Sequence, residues 1–290
     1  MLTWSRTPFR RASRHPFARA VAALVAVGFL TGCENLGKID LNAAVQNLIQ
    51  PDRTPQQYLL VAVSDTDPDI RRDAIAEVAE SDQRDKDWAI KGMSTVALLE
   101  TDTHARCVAI RGLGASGRPE AVDVALKILN AKSYAASEVW PPEPLCRADA
   151  AKVLADAVDR GAVREEQSRD ARATLLQSLQ DEDPEVRVFC AKGLRRFADA
   201  EVVDALIAAT GDSVFAVAYE ADYSLAVLTG HTFDCRRHAW EAWRAANGDR
   251  LFADGGKMPP KLQPPYSGAW GKIAYDTKKV FQTIIPAAKD

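Results

Sequence analysis

The chain has 290 residues, of which 47% are hydrophobic and 7% are aromatic. The hydrophobic share excludes disorder over most of the chain, and the scarcity of aromatic residues favours closely packed helices over sheets. The first 32 residues carry five arginines and no acid, so the remaining 32 basic and 40 acidic residues have a net charge of −8. That acidic balance argues against general nucleic-acid binding.

The N-terminus has the pattern of an export signal. Five arginines precede an uncharged apolar run over residues 20–30, which is shorter than the roughly 20 residues that a transmembrane helix needs. The run ends in Leu30-Thr31-Gly32-Cys33. This motif resembles the lipobox of bacterial lipoproteins, in which the cysteine is lipidated and becomes the mature N-terminus.

The lipobox resemblance implies a domain organisation and a location. Residues 1–32 would be a lipoprotein signal peptide, Cys33 the lipidation site, and residues 33–53 a linker behind the lipidated N-terminus. Because two or three acyl chains hold a protein firmly on a membrane, we expect a mature chain that is lipid-anchored in the bacterial cell envelope. A signal anchor with a chance cysteine is the alternative.

A short pattern recurs between residues 54 and 249. In four copies an acid is followed four residues later by an arginine, and three residues after that by a small residue. The acids are Asp67, Asp102, Glu143 and Asp183, and the arginines are Arg71, Arg106, Arg147 and Arg187. A fifth copy has Ala218 at the arginine position. Positions −1, +3 and +7 from each arginine are apolar or small and fall on one stripe, so each copy predicts an amphipathic helix.

Signals for helix starts accompany these copies. Asp67, Asp102 and Asp183 are good N-cap residues, and three prolines follow acids at the first helical position. Another apolar helix is predicted ahead of each copy, at 56–63, 87–99, 120–129, 167–179 and 202–209. Five antiparallel helix pairs at this period predict an all-α fold, an α-solenoid.

The copies resemble HEAT repeats, especially the short bacterial kind that is also found in bilin lyases. The resemblance covers about Thr54 to Thr229 and rests on the four aligned copies of acid, arginine and small residue. It implies that the acids and arginines of successive repeats form a structural ladder along the stack. An acid four residues before an arginine can also pair with it along one helix. Ladder residues have to recur in every repeat and catalytic residues do not, so we interpret these eight residues as structural.

The end of the repeat region also has a recognisable pattern. An L-T-G-x-x-F stretch and a W-x-x-W helix lie within residues 228–249, which resemble the closing segment of some bacterial HEAT-repeat envelope proteins. We expect Trp240 and Trp243 to cap the last repeat, so that the solenoid with its cap spans residues 54–249. Residues 250–290 are predicted to be a Pro/Gly-rich linker and a terminal amphipathic helix, which either docks on the solenoid or lies on a membrane surface.

Four cysteines remain after Cys33, and their spacing shows no redox or haem-attachment motif. Cys146 and Cys190 occupy core positions of the repeat, which favours buried, inert thiols. An oxidising envelope compartment would permit disulfides among Cys107, Cys146, Cys190 and Cys235, and the sequence does not choose among the three pairings.

Three residues near the end of the repeats are the candidate metal ligands of the sequence. His231, Cys235 and His238 lack a fourth ligand for zinc and lie in the predicted cap, so no metal site is expected. The chain has no nucleophile elbow, P-loop or dinucleotide fingerprint. We therefore expect neither a cofactor nor an enzymatic activity.

The predicted function is a non-catalytic scaffold that binds an unknown protein partner, with no nucleic acid involved. An inserted segment at 133–144 carries Tyr134 and Trp140, which are candidate partner contacts. Second helices line the concave face of such a stack, which adds Arg72, Asp149 and Lys152 as candidates. The alternatives are a cofactor-handling, lyase-like enzyme related to bilin lyases and a purely structural envelope component.

Overall fold

The computed structural model describes residues 53–131, 143–248 and 250–263. These residues form eleven α-helices, one short 3-10 turn at Pro260–Leu262 and no strand. In chain order the helices are α1 Pro55–Ser64, α2 Pro68–Glu80, α3 Asp87–Leu99, α4 Thr103–Ser116, α5 Glu120–Leu129, α6 Pro144–Asp159, α7 Glu165–Ser178, α8 Pro184–Leu194, α9 Ala200–Ala209, α10 Phe215–Thr229 and α11 Arg237–Asn247.

The helices stack as five pairs in two layers. Each odd-numbered helix from α1 to α9 packs against the even-numbered helix that follows it. The second helices α2, α4, α6, α8 and α10 contact one another in order, and α1, α3, α5 and α7 do the same in the other layer. The predicted all-α solenoid of five helix pairs is therefore confirmed.

The stripe that the sequence predicts forms the core between the two layers. All five small residues at position +3 from the arginines are at most 3% exposed, and all five larger residues at position +7 are at most 1% exposed. Position −1 is buried in four repeats, but Ile70 in the first repeat is 44% exposed. The equivalent Cys146 contacts the preceding second helix, whereas α2 has no second helix before it among the described residues.

Helix starts follow the local capping chemistry. The Asp67 side chain accepts a hydrogen bond from the backbone N–H of Asp69, and the Asp102 side chain accepts one from that of Ala105. Asp183 caps α8 in the same way, whereas Glu143 precedes α6 without a side-chain cap. Such bonds satisfy backbone N–H groups that have no partner inside the helix.

The residues after α11 pack on the last repeat. Leu251 is 3% exposed within the core, and the Gly256 N–H donates to the Val227 carbonyl of α10 at 2.9 Å. Described residues from 250 onward, which composition alone predicts to be linker, thus contact the end of the stack. The predicted terminal amphipathic helix lies outside the described residues.

Candidate interaction surface

Three of the recurring arginines join successive repeats. Each makes two hydrogen bonds to one carboxylate near the start of the next second helix: Arg71 with Glu100 at 2.9 and 3.0 Å, Arg147 with Asp181 at 2.9 Å for both bonds, and Arg187 with Asp212 at 2.8 and 3.0 Å. Such two-bond pairs fix geometry as well as charge. The arginines therefore tie neighbouring repeats together.

The acids in these pairs differ from the predicted ones. Each paired acid lies two residues before the N-cap residue of the next second helix. Its carboxylate also accepts a hydrogen bond from the backbone N–H of that N-cap residue, as Glu100 does from Asp102 at 3.0 Å. The acids expected in the ladder, Asp67, Asp102 and Asp183, instead cap their own helices, and other carboxylates pair with the arginines. The N-cap carboxylate is held by backbone N–H groups at its own helix start, and the guanidinium extends toward the next repeat.

Arg106 makes a different contact. Its side chain is fully buried, and its Nε donates to the Ala97 carbonyl at 3.1 Å, near the end of α3. A carbonyl near a helix C-terminus carries partial negative charge, which suits a cation. Arg106 therefore holds α4 against its own first helix. With their donors used in this way, the recurring arginines have a structural role.

A second set of charges runs along the second-helix layer. On α6 the four side chains Asp149, Lys152, Asp156 and Asp159 are spaced three or four residues apart and so lie on one helix face. Residues of the neighbouring repeats pair with three of these side chains: Arg111 with Asp149 at 2.9 Å, Lys192 with Asp156 at 2.6 Å, and Arg195 with Asp159. Arg195 also lies 3.5 Å from Glu220 of α10. We call these eight residues, from Arg111 on α4 to Glu220 on α10, the charged row.

The charged row contains two of the predicted partner-binding residues. Lys152 keeps about half of its side chain exposed and pairs with Asp156 at 2.5 Å, whereas Asp149 is mostly covered by its pair with Arg111. Arg72 stands apart, because it pairs with Asp69 and Asp73 of its own helix at 2.9 and 3.6 Å. Tyr134 and Trp140, like the lipidation candidate Cys33, lie outside the described residues.

An exposed aromatic surface adjoins the charged row and was missed at the level of sequence. Phe215, Tyr219 and Tyr223 are spaced four residues apart on α10 and form what we call the aromatic stripe. Phe215 is 73% exposed and Tyr219 48% exposed, with their ring centroids 5.9 Å apart. The guanidinium carbon of Arg195 lies 5.9 Å from the Tyr223 ring. The spacing F-x-x-x-Y-x-x-x-Y was the available signal.

Glu220 is the least satisfied member of the charged row. Its Oε1 lies 3.5 Å from Arg195 Nη1 but makes no hydrogen bond with any described residue. Burial raises the pKa of Glu220, and the nearby positive charges of Arg195 and Lys192 only partly oppose this. An acid in this state is a weak point of the layer rather than a source of its stability.

The predicted cap tryptophans close the end of the stack. Trp240 is fully buried, and its ring meets those of Phe233 and Trp243 edge-on at centroid distances of 4.8 and 5.6 Å. Its Nε1 donates to Asp222 of α10 at 2.7 Å. Asp222 also accepts from the Thr232 hydroxyl, so one buried carboxylate joins the last repeat, the turn and α11.

Neither a metal centre nor a membrane-spanning helix was found in the described parts of the chain. No three His, Cys, Asp or Glu side chains there lie close enough together to hold a metal ion. His231, one of the residues weighed for zinc, has its Nδ1 2.9 Å from the Thr229 carbonyl and its ring 5.3 Å from that of Trp243. Of the helices described, none combines the length and apolar character needed to cross a bilayer.

Comparison with known proteins bears on the repeats. Residues 141–226 match the family model described as HEAT repeats. No curated protein matches the chain. A crystal structure described as an engineered protein is similar over 59% of this chain and 78% of that chain, with 20% sequence identity and a TM-score of 0.41. The matched residues run from the start of α6 into α10, and the helix pairs before them stack in the same two layers. Residues 141–226 are therefore similar to HEAT repeats, and the helix pairs before them have the same arrangement.

Proposed function

We propose that this protein is a lipid-anchored scaffold of the cell envelope that binds another protein through its second-helix layer. A repeat scaffold for protein interaction is what HEAT repeats suggest in general. The finer proposal adds the anchor at Cys33, the envelope location, a non-catalytic role and the position of the binding surface.

The observation that carries the proposal is the aromatic stripe beside the charged row. Soluble proteins rarely expose large contiguous apolar surfaces without a use for them, and tyrosine and arginine are favoured in protein interfaces. Here Phe215 and Tyr219 are exposed, and the third ring of the stripe, Tyr223, lies 5.9 Å from the Arg195 guanidinium of the charged row. The partner that fits is a protein segment with an apolar side chain that contacts the aromatic rings and with both acidic and basic side chains that pair with the charged row.

The anchor is supported by the basic start, the short apolar run and the small residues before Cys33. Replacing this residue, Cys33→Ser, should leave an unprocessed precursor that incorporates no labelled fatty acid. Cys235→Ser, which removes a cysteine far from the signal, is the matched control and should be processed and labelled normally. Processing and labelling of Cys33→Ser as in the wild type would contradict the anchor.

Partner binding is tested by co-purification from detergent-solubilised envelopes. The full chain is compared with the double variant Phe215→Ser/Tyr219→Ser, and the retained proteins are quantified by mass spectrometry. A protein retained by the wild type and lost with the double variant supports the scaffold. A bound chromophore would favour the lyase-like alternative, and the absence of any protein that depends on the stripe would favour a purely structural component.

A further inference from the structure

Two buried thiols meet between the second helices of repeats two and three. Cys107 on α4 is 1% exposed and Cys146 on α6 is fully buried, and their Sγ atoms lie 3.7 Å apart. Cys190 is buried on α8 and Cys235 lies before α11. Within the described ranges, no other two cysteine sulfurs are in contact. The geometry thus favours one of the pairings that the sequence leaves open.

We propose that Cys107 and Cys146 form a disulfide bond in the mature protein and so link repeats two and three covalently. The proposal rests on the export that the proposed function assumes, because disulfides persist in oxidising compartments. A disulfide needs a sulfur–sulfur distance of about 2.05 Å. The two side chains therefore have to close roughly 1.7 Å from their present separation.

Packing alone does not require two sulfurs at this junction. Cys107 follows the arginine of repeat two, and Cys146 precedes the arginine of repeat three. At the next two junctions the same positions hold Ala148 with Val186 and Val188 with Val217. Ordinary small or branched side chains serve there, so the cysteine pair is a local departure from the repeat.

The oxidant by chemical class is a protein or small molecule that itself carries a reactive disulfide. One cysteine of the pair, as its thiolate, attacks one of these sulfurs, that disulfide breaks, and its other sulfur leaves as a thiolate. The second cysteine then loses its proton and attacks the sulfur of the first, which releases the remaining oxidant sulfur as a second thiolate. Two electrons pass to the oxidant, and the cysteine pair gives up two protons.

Burial determines when this reaction takes place. A protein oxidant cannot reach either sulfur once α4 and α6 have packed, because both residues are almost completely covered. Oxidation therefore precedes the packing of these two helices. After folding, the same burial protects the bond from reductants.

The test has two arms. Full chain isolated from its native membranes is denatured, its free thiols are blocked with a maleimide before and after reduction, and its peptides are identified by mass spectrometry. Purified chain is also unfolded in urea and refolded in a glutathione redox buffer.

We expect the Cys107–Cys146 link in both samples, and an unfolding temperature on the order of 10 °C higher for oxidised than for reduced chain. Cys146→Ser should free Cys107 for labelling, and the control Cys190→Ser should keep the link.

The outcomes separate the disulfide from the export on which it rests. Refolded chain without the Cys107–Cys146 link would overturn the disulfide and leave the lipid anchor untouched. A link that forms on refolding but is absent from chain taken from native membranes would overturn both the disulfide in the cell and the oxidising location that the proposed function assumes.

Discussion

Arg71 and Arg72 are adjacent in the sequence, but their guanidinium groups have different surroundings. The Arg71 side chain is 15% exposed and pairs across the repeat boundary with Glu100, which is 10% exposed. The Arg72 side chain is 37% exposed and pairs with Asp69, which is 74% exposed. Burial and the position of the carboxylate, rather than residue type, decide which arginine stabilises the stack.

The adjacent arginines give a matched pair of variants. Arg71→Met should lower the free energy of unfolding by about 2–4 kcal/mol, because it leaves the covered Glu100 carboxylate without its partner. Arg72→Met should cost less than about 1 kcal/mol, as exposed pairs do. Urea unfolding followed by circular dichroism measures both. Equal losses would show that Arg71 is not a ladder residue.

Two carboxylates have pKa shifts of opposite sign, so they make opposite contributions to stability as pH changes. Hydrogen bonds from Arg187 lower the pKa of Asp212 in the folded protein. Asp212 therefore stabilises the fold above its pKa in the unfolded chain, and this stabilisation is lost as the pH falls through its pKa in the folded protein. Burial raises the pKa of Glu220, so its stabilising contribution is present below its pKa in the unfolded chain and is lost as the pH rises through its pKa in the folded protein.

Amide variants test these signs. Glu220→Gln mimics the protonated acid, so it should raise the unfolding temperature at pH 7. This gain should vanish near pH 4, because the glutamate of the unfolded chain, with a pKa of about 4.3, is itself largely protonated there. Asp212→Asn should lower the unfolding temperature at pH 7, with a difference that shrinks as the pH falls. Scanning calorimetry at both pH values measures the effects. A stabilising Asp212→Asn or a destabilising Glu220→Gln at pH 7 would contradict the account.

The arginines of the ladder could be predicted because they recur, but their partners could not. Glu100, Asp181 and Asp212 follow their arginines at 29, 34 and 25 residues, a separation that varies with the length of the intervening helix and turns. Their shared position is two residues before the cap residue of the following second helix. That regularity is visible in the sequence only when the helix starts are already known.

At the level of elements, the turn after α10 determines how the chain leaves the last repeat. Gly230 has φ +79, a conformation that side chains with a Cβ rarely adopt, and a Cβ there would lie 2.4 Å from the Asp254 carbonyl oxygen. The turn needs glycine both for its backbone angle and for the close approach of the segment that follows α11.

A second glycine separates these two requirements. Gly117 ends α4 with φ +70, but a Cβ at this position would meet nothing within 4 Å. Gly117→Ala should lower the free energy of unfolding by about 1–2 kcal/mol, the cost of a left-handed backbone conformation for alanine. Gly230→Ala should lower it by at least about 1 kcal/mol more, because the clash with Asp254 adds to that cost. Urea unfolding followed by tryptophan fluorescence measures both losses. The same loss for both variants would mean that the segment around Asp254 does not rest on the last repeat.

Helix boundaries show where sequence patterns are informative. The predicted helices at 87–99 and 120–129 agree with α3 and α5. The helix predicted at 167–179 begins two residues earlier, at Glu165, because its first turn is polar and lies outside the apolar pattern. Apolar periodicity reports the buried face, so an exposed first turn leaves no trace in it.

At the scale of the whole molecule, the fold follows from the sequence because each helix pair buries its apolar face only against its neighbours. The proposed binding surface does not follow in the same way. The charged row becomes a row only when α4, α6, α8 and α10 are stacked, and the exposure of Phe215 and Tyr219 depends on their lying outside the buried stripe. Arg72, chosen from its helix position alone, belongs to neither surface feature.

The central claim is that partner binding depends on the aromatic stripe of the second-helix layer. The measurement is the affinity of the co-purified partner for purified chain, by titration calorimetry, for wild type, Phe215→Ser/Tyr219→Ser and the control Leu60→Ser/Val63→Ser. The control removes two apolar side chains that are 65% and 51% exposed on α1, in the other layer. We predict that the stripe variant raises the Kd at least about tenfold, as expected for interface aromatics, and that the control leaves it within about twofold of the wild type. An unchanged Kd for the stripe variant, or an equal loss for the control, would contradict the claim.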